Sequence, residues 1–399
     1  MQPFDPRPVR TAAVQALLFL AGPGSFEGAQ LLAARAGVAP LAPMLPASTH
    51  AVLQLVGGFL TLIFAFLAHG VPHLLGLDLG RSARARWAIR AIGALLLVDV
   101  AGELAASCAV VLCSRALLVA AAVAYLALLA AARLPRHHDL WRAPAPILLV
   151  ALACVPIGLA LWTWEATGGP SGLASDLLLF GAVVPVILSM GFQMFASLLQ
   201  LDEPSDTVFF VALVAWLGGA ALRVLARAVP AAGGLHAPLF VVGAVTWIVA
   251  LRGLRKRRGG PVLRTRPSPD LVASVLVAAS ALIIGGTLGA WPRLGGPPLA
   301  DDLARHVIAL GFVLVVTMAV TLRVLPQFCR GRPSSVVLGL ATLGAIVIAL
   351  LLRAGELLEH AQTAVALSAL VSWVAVIVWA LHLGRGLLPP AQRDAALAR

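Results

Sequence analysis

The sequence predicts an all-α polytopic membrane protein with about twelve transmembrane helices, and three observations carry that prediction. Of 399 residues, 60% are hydrophobic and only 12% charged, with a mean hydropathy of +0.97. A soluble domain is nearer 45–50% apolar and about a quarter charged, so this chain has too little polar surface to face water on every side. Runs rich in Leu, Ala and Val recur at about 20 residues, the length that crosses a hydrocarbon core as a helix. Period-2 alternation is absent. In lipid the backbone must satisfy itself, which leaves helices once a barrel is ruled out by pattern.

Taken in order, the apolar runs predict spans at 11–33, 50–71, 87–111, 115–133, 145–165, 175–200, 208–228, 237–254, 270–290, 304–325, 335–354 and 362–384. The first is interrupted by Pro23, Gly24 and Glu27. It is read as a retained helix, since no small-residue cleavage site follows the Phe4-Asp5-Pro6 start. Connections are short and rich in Gly and Pro, so residues 1–399 read as a single transmembrane domain.

The net charge of +12 is spread in short basic blocks between the apolar runs, such as Arg81 to Arg90 and Arg252 to Arg266. That is the signature of topology, not of nucleic-acid binding. With the N-terminus inside, 22 of the 29 Lys and Arg residues fall in inner segments. Both termini are therefore expected in the cytoplasm of a bacterial inner membrane, with the lipid bilayer as the main partner. Arg35, Arg115, Arg223, Arg227, Arg293, Arg305 and Arg353 are left to outer connections and outer helix ends. Trp141, Trp162, Trp164, Trp247 and Trp291 read as interfacial anchors. The four cysteines form no CxxC pair, which indicates neither a disulfide framework nor a zinc site.

Three segments share a pattern. They open at His50, Asp176 and Arg305, carry Gly a turn or two later, and end polar near the inner face. His69-Gly-Val-Pro72 and Arg323-Val-Leu-Pro326 match in spacing, and AGEL recurs at Ala101 and Ala354. The sequence thus predicts three four-helix units, at about 50–165, 175–290 and 304–384, the last completed by the N-terminal helix.

Ionisable groups in spanning helices are costly and face protein or water. Here they gather toward the outer ends: His50, Asp176 and His306 at helix starts, Glu103 and Glu356 at helix ends with Asp99 a turn deeper, and Arg223, Arg227 and His236 nearby. Two readings of His50 and His306 stand side by side. As a facing imidazole pair they could ligate a haem iron, with Arg223, Arg227 or Arg353 pairing the propionates and Glu103 or Glu356 orienting a ring. As first-turn residues they could instead cap their helices beside Ser48 and Asp302. A weaker candidate metal pair is His69 with His73, four apart on one helix face near the inner end. No P-loop, dinucleotide fingerprint or spaced nucleophile–base set occurs, which argues against an ATP-driven pump or a soluble-type hydrolase.

His50-Ala51, Gly57-Gly58-Phe59 and Val71-Pro72 in one helix, with His306, Gly311, Met318 and Arg323 in another, resemble the two His-bearing helices of the NnrS family. Those are bacterial twelve-helix membrane proteins that bind haem and copper and are linked to nitric oxide stress. The three-unit build also looks like subunit I of the haem–copper oxidases. The resemblance implies haem, b-type, with copper as a further cofactor, and His50 and His306 as ligands. The chain departs from both patterns. Val52, Leu53 and Gln54 stand where NnrS-type sequences tend to show a second His and a Glu. The region matching the oxidase copper site offers Asp176, Gln193 and Arg223, with no His before His236. Two other classes compete: a secondary transporter lined by Asp99, Glu103, Arg223 and Glu356, with Gly57-Gly58 and Gly218-Gly219 as the nearest helix-break signals, and a scaffold or sensor subunit without metals.

Overall fold

A computed structural model describes residues 7–35, 37, 44–64, 83–131, 144–199, 205–229, 234–251, 267–329, 334–357 and 362–387. Among them the regular structure is helical, without strands. The chain opens with α1 (Arg7–Phe19), which runs through a π-helical turn (Leu20–Gly24) into α2 (Ser25–Arg35). Next, α3 (Ala47–Val52) continues as a π-helical stretch (Leu53–Leu60). Three long helices follow: α4 (Ala83–Leu104), α5 (Cys108–Ala131) and α6 (Pro144–Ala166). A short α7 (Leu173–Asp176) passes through a second π stretch (Leu177–Val183) into α8 (Val184–Leu198). Then come α9 (Asp206–Ala228), α10 (His236–Ala250) and α11 (Pro269–Leu288). Finally α12 (Leu299–His306) passes through a third π stretch (Val307–Leu314) into α13 (Val315–Phe328), before α14 (Val336–Ala354) and α15 (Gln362–Leu387).

Local chemistry sets the helix starts. Pro46 precedes α3 and Pro298 precedes α12, where a fixed φ suits a helix entry. Gly172 enters α7 at φ 85°, a left-handed backbone that a side chain would strain. Ser335 caps α14 by accepting the Leu338 N–H.

Nine helices among the described residues are long and apolar enough to cross a membrane, which makes this a multi-pass α-helical membrane protein. Burial sorts them. The rods starting at Ala47, Leu173 and Leu299 have 72, 83 and 78% of their spanning windows buried, against 33–50% in the other six. These three rods form the centre. The π stretch after α3 packs on the one after α7, α3 on α7, and α8 on α13. Around them runs a repeated order of neighbours: α4 on α5 and α5 on α6; α9 on α10 and α10 on α11; α14 on α15 and α15 on α2. Each series hands over to a central rod, α6 to α7, α11 to α12, and α1 to the π stretch after α3. Large apolar side chains such as Trp87, Leu351 and Leu381 face outward, as lipid contact requires.

The N-terminal rod, made of α1, the π-helical turn and α2, is broken. Gly22 leaves the helical region (φ −86°, ψ −118°) and Pro23 has no N–H to give. Carbonyls freed by such a break need partners in a dry interior. Trp373 Nε1 on α15 donates to Ala21 O at 3.0 Å; past the break, at the entry to α2, Gly24 O receives His50 Nδ1 at 2.6 Å.

Three expectations need correction. The boundary expected between spans at 111 and 115 lies instead at a tight turn after Leu104, where Ala106 takes φ 49°. Consequently Arg115, expected at the outer end of its span, lies two turns inside α5 and is 2% exposed, held by Asp99 and Glu103. Trp162 and Trp247 are core residues, each 1% exposed, whereas Trp164 and Trp291 do face outward. Trp141 lies outside the described residues.

Candidate functional site

His50 sits in the first turn of α3, against the broken rod. Its Nδ1 reaches Gly24 O, and its ring packs against Gly28 of α2, where a Cβ would fall 2.4 Å from Cε1 and 3.0 Å from Nε2. Only a glycine leaves room for the imidazole there. His306 ends α12, and its Nδ1 donates to the Asp302 carbonyl one turn back at 2.9 Å. Arg353 Nη2 stands 3.5 Å from the same nitrogen. A carbonyl only accepts, so in both rings Nδ1 carries the proton and Nε2 keeps its lone pair. Both rings are half-buried, His306 keeping 28% of its side-chain surface accessible. The two imidazoles lie within electrostatic reach of each other, and both within reach of Arg353 and Asp302.

Beside them is a layer of paired charges. Asp176, fully buried, takes the Nε groups of Arg223 (3.1 Å), Arg227 (2.9 Å) and Arg305 (2.8 Å). Asp301 takes the Nη2 groups of the same three at 2.8, 2.7 and 3.1 Å. Two carboxylates thus clasp three guanidiniums, one of which, Arg223, also lies 4.5 Å over the Phe180 ring. The next residue, Asp302, takes Arg353 at 2.7 Å and Arg35 at 2.8 Å on one oxygen. His236 borders the layer, its Nε2 donating to Gly289 O at 3.3 Å. The buried members, Asp176, Arg223 and Arg353, are tolerated because they are paired; stranding one of these by removing its partner costs about 3–5 kcal/mol.

Two further ionic clusters lie apart. Arg115 bonds Asp99 at 3.0 Å and Glu103, donates to the Trp162 carbonyl, and stacks 3.7 Å over the Trp162 ring. Ser114 joins Asp99 at 3.0 Å. Arg323 bonds Asp270 and Ser268 at the start of α11.

The structure therefore brings together His50, His306 and Arg353, and sets Arg223 and Arg227 in the adjoining layer through the Asp301–Asp302 pair. It does not bring Glu103 there. The carboxylate expected to orient an imidazole is held by Arg115 between α4, α5 and α6, and carbonyl oxygens orient the rings instead. The Glu356 side chain, His69 and His73 lie outside the described residues. Sequence reasoning missed Gly28, the anchoring carbonyl of Gly24, and the clasp formed by Asp301 and Arg305. The clasp had a signal: Asp301-Asp302-Leu-Ala-Arg305-His306 puts opposite charges four apart on one helix face. Among the described residues, no group of three or more His, Cys, Asp or Glu side chains is placed to hold a metal ion. No protein-family model matches the chain, and no curated protein matches it.

Proposed function

We propose that this chain is an NnrS-like haem-binding protein of the bacterial inner membrane, associated with nitric oxide or respiratory stress, with His50 and His306 as ligands of a b-type haem. The carrying observation is the way both rings are anchored. Each gives Nδ1–H to a backbone carbonyl, the outer-shell bond that fixes a ligating imidazole's tautomer and raises its basicity. A helix cap would use the ring as an acceptor for first-turn N–H groups. Neither ring does so through Nδ1.

Gly28 leaves the room that the His50 ring itself occupies, and the charge layer supplies donors for the group's carboxylates. In the adjoining layer Arg35, Arg223, Arg227, Arg305 and Arg353 outnumber Asp176, Asp301 and Asp302, even with Glu165 counted, which accepts from Ala174 N–H nearby. Haem propionates would meet an excess of guanidinium, the best-matched donor for carboxylates. Bound there, the iron would supply one-electron chemistry. Copper rests on the family resemblance and the His69–His73 spacing.

The finer architecture belongs to the same proposal: twelve spans in three four-helix units, both termini cytoplasmic. Its support is the interval between central rods. Leu173 lies 126 residues after Ala47, and Leu299 a further 126 after Leu173. Each central rod carries a π stretch within its first turns, and the neighbour order repeats with α1 and α2 serving as the last unit's fourth helix.

The test is a reduced-minus-oxidised absorption spectrum of protein purified from haem-replete cells, beside His50→Ala and His306→Ala. A b-type signal abolished in both variants is expected. A colourless wild type refutes the haem assignment. The second reading, a secondary transporter, is favoured by one observation: the break at Gly22-Pro23 beside His50, since interrupted helices build transporter sites. A colourless protein that moves a solute in vesicles would establish it.

A further inference from the structure

We propose that Asp302 is the positioning residue of the imidazole pair: one carboxylate that fixes His50 and His306 relative to each other. The inference rests on the reading of these histidines as a ligand pair. It concerns the frame that sets their separation.

Three elements meet at Asp302. Its own carbonyl, on α12, receives the His306 Nδ1–H. Its Oδ2 receives Arg353 from the last turn of α14 at 2.7 Å, and that same guanidinium nitrogen stands 3.5 Å from His306 Nδ1. The same oxygen receives Arg35, the last residue of α2, at 2.8 Å. α2 is also the helix whose Gly28 seats the His50 ring, and it follows directly on Gly24, whose carbonyl anchors that ring. A route from one imidazole to the other thus runs His306, Asp302, Arg35, α2, His50, and on it Asp302 supplies the carboxylate. Asp176, the neighbouring buried acid on α7, bonds the arginines of α9 and α12 and meets α3 through helix packing, without an ionic bond to α2.

Removing the carboxylate has two consequences. The ionic tie between α2 and α12 is lost, so the His50 seat can drift from the His306 seat. Arg353, no longer drawn aside, presents a donor to a ring nitrogen that is itself a donor, which turns the His306 ring. Both effects act on ligand placement while every ligand atom remains.

The experiment compares wild type, Asp302→Asn, Asp302→Glu and Asp206→Asn, the last an exposed acid at the start of α9. Haemin is titrated into haem-free protein, with spin state read by electron paramagnetic resonance. In parallel, nitroxide labels at Ala34→Cys on α2 and Leu299→Cys on α12, in a background lacking the native cysteines, report the distance between the two seats without haem. For Asp302→Asn we expect haem retention weakened about 10–100-fold, part of the iron converted from six-coordinate low-spin to five-coordinate high-spin, and a broadened distance distribution. Asp302→Glu should recover part of each, and Asp206→Asn should match wild type. Equal affinity and spin state in wild type and Asp302→Asn would overturn the positioning role while leaving the haem reading intact. If wild type takes no haem, the haem reading fails on its own. The label distances then decide: broadening in Asp302→Asn upholds the tie between the two seats, and an unchanged distribution overturns it.

Discussion

At the scale of single residues, the site depends as much on atoms that are missing as on those present. Gly28 contributes only the absence of a Cβ, yet that absence seats the His50 ring. Gly28→Ala should force the ring out of its seat, since a methyl at 2.4 Å from Cε1 has no van der Waals solution without a shift. Overpacking of this kind costs about 1–3 kcal/mol. The expected result is loss of bound haem together with lowered thermal stability in detergent. Gly218→Ala, whose new methyl meets nothing closer than 3.5 Å, should leave both unchanged. If Gly28→Ala binds haem as wild type does, the seat is wrong. The histidines were legible in the sequence because a polar residue opening an apolar run stands out. Gly28 was not, because the effect of a glycine appears only once the element packed against it is known, and Gly24 showed as a helix interruption but not as the carbonyl that anchors a ring. Arg115 was misplaced for a related reason. An arginine in an apolar run reads as the end of its span until its buried partners Asp99 and Glu103 are in view.

At the scale of elements, the broken N-terminal rod is the local exception to otherwise regular helices. Pro23, Gly24 and Glu27 announced an interruption in the sequence; what they could not announce was who would satisfy the freed carbonyls. Trp373 Nε1 supplies one bond from α15, at 3.0 Å to Ala21 O. Trp373→Phe keeps most of the ring and deletes the donor, leaving a half-buried carbonyl without that partner. A loss of about 1–3 kcal/mol in unfolding free energy is expected, measured by denaturation in mixed micelles. Trp164→Phe, on a side chain that is 50% exposed, should be silent. Equal stability in both variants would mean that the break does not rely on α15. Helix positions themselves were readable to within a few residues from apolar run length. The boundary after Leu104 was not, since a turn this short needs an unusual backbone at Ala106 rather than a Gly or Pro signal.

At the scale of the whole molecule, the three most buried rods and the repeated order around them predict a definite topology. The proposed twelve spans would place both termini on one side of the membrane and the α6–α7 connection on the other. Alkaline phosphatase fused after Gly168 should be active, and a fluorescent protein fused at the C-terminus should fold and fluoresce in the cytoplasm. Activity of both reporters on the same side would defeat the twelve-span proposal. The basic blocks are the signal behind the proposed orientation, because insertion reads Lys and Arg directly. The pairing of α15 with α2 follows from the three-unit pattern in the sequence. The ion-pair layer does not, since its members lie up to 267 residues apart and meet only in three dimensions.

That pairing has a consequence for how the protein is made. The bond from Trp373 to Ala21 joins residues 352 positions apart. A ribosome adding about 5–20 residues per second releases the second partner roughly 20–70 s after the first. During that interval the earliest helix, with its break, Glu27 and Gln30, waits in the membrane without its closing neighbour. A nascent chain cut short before α15 leaves that polar segment uncovered. Such truncated products should be held by insertion chaperones or removed by membrane proteases, so that only chains translated to their last helix accumulate.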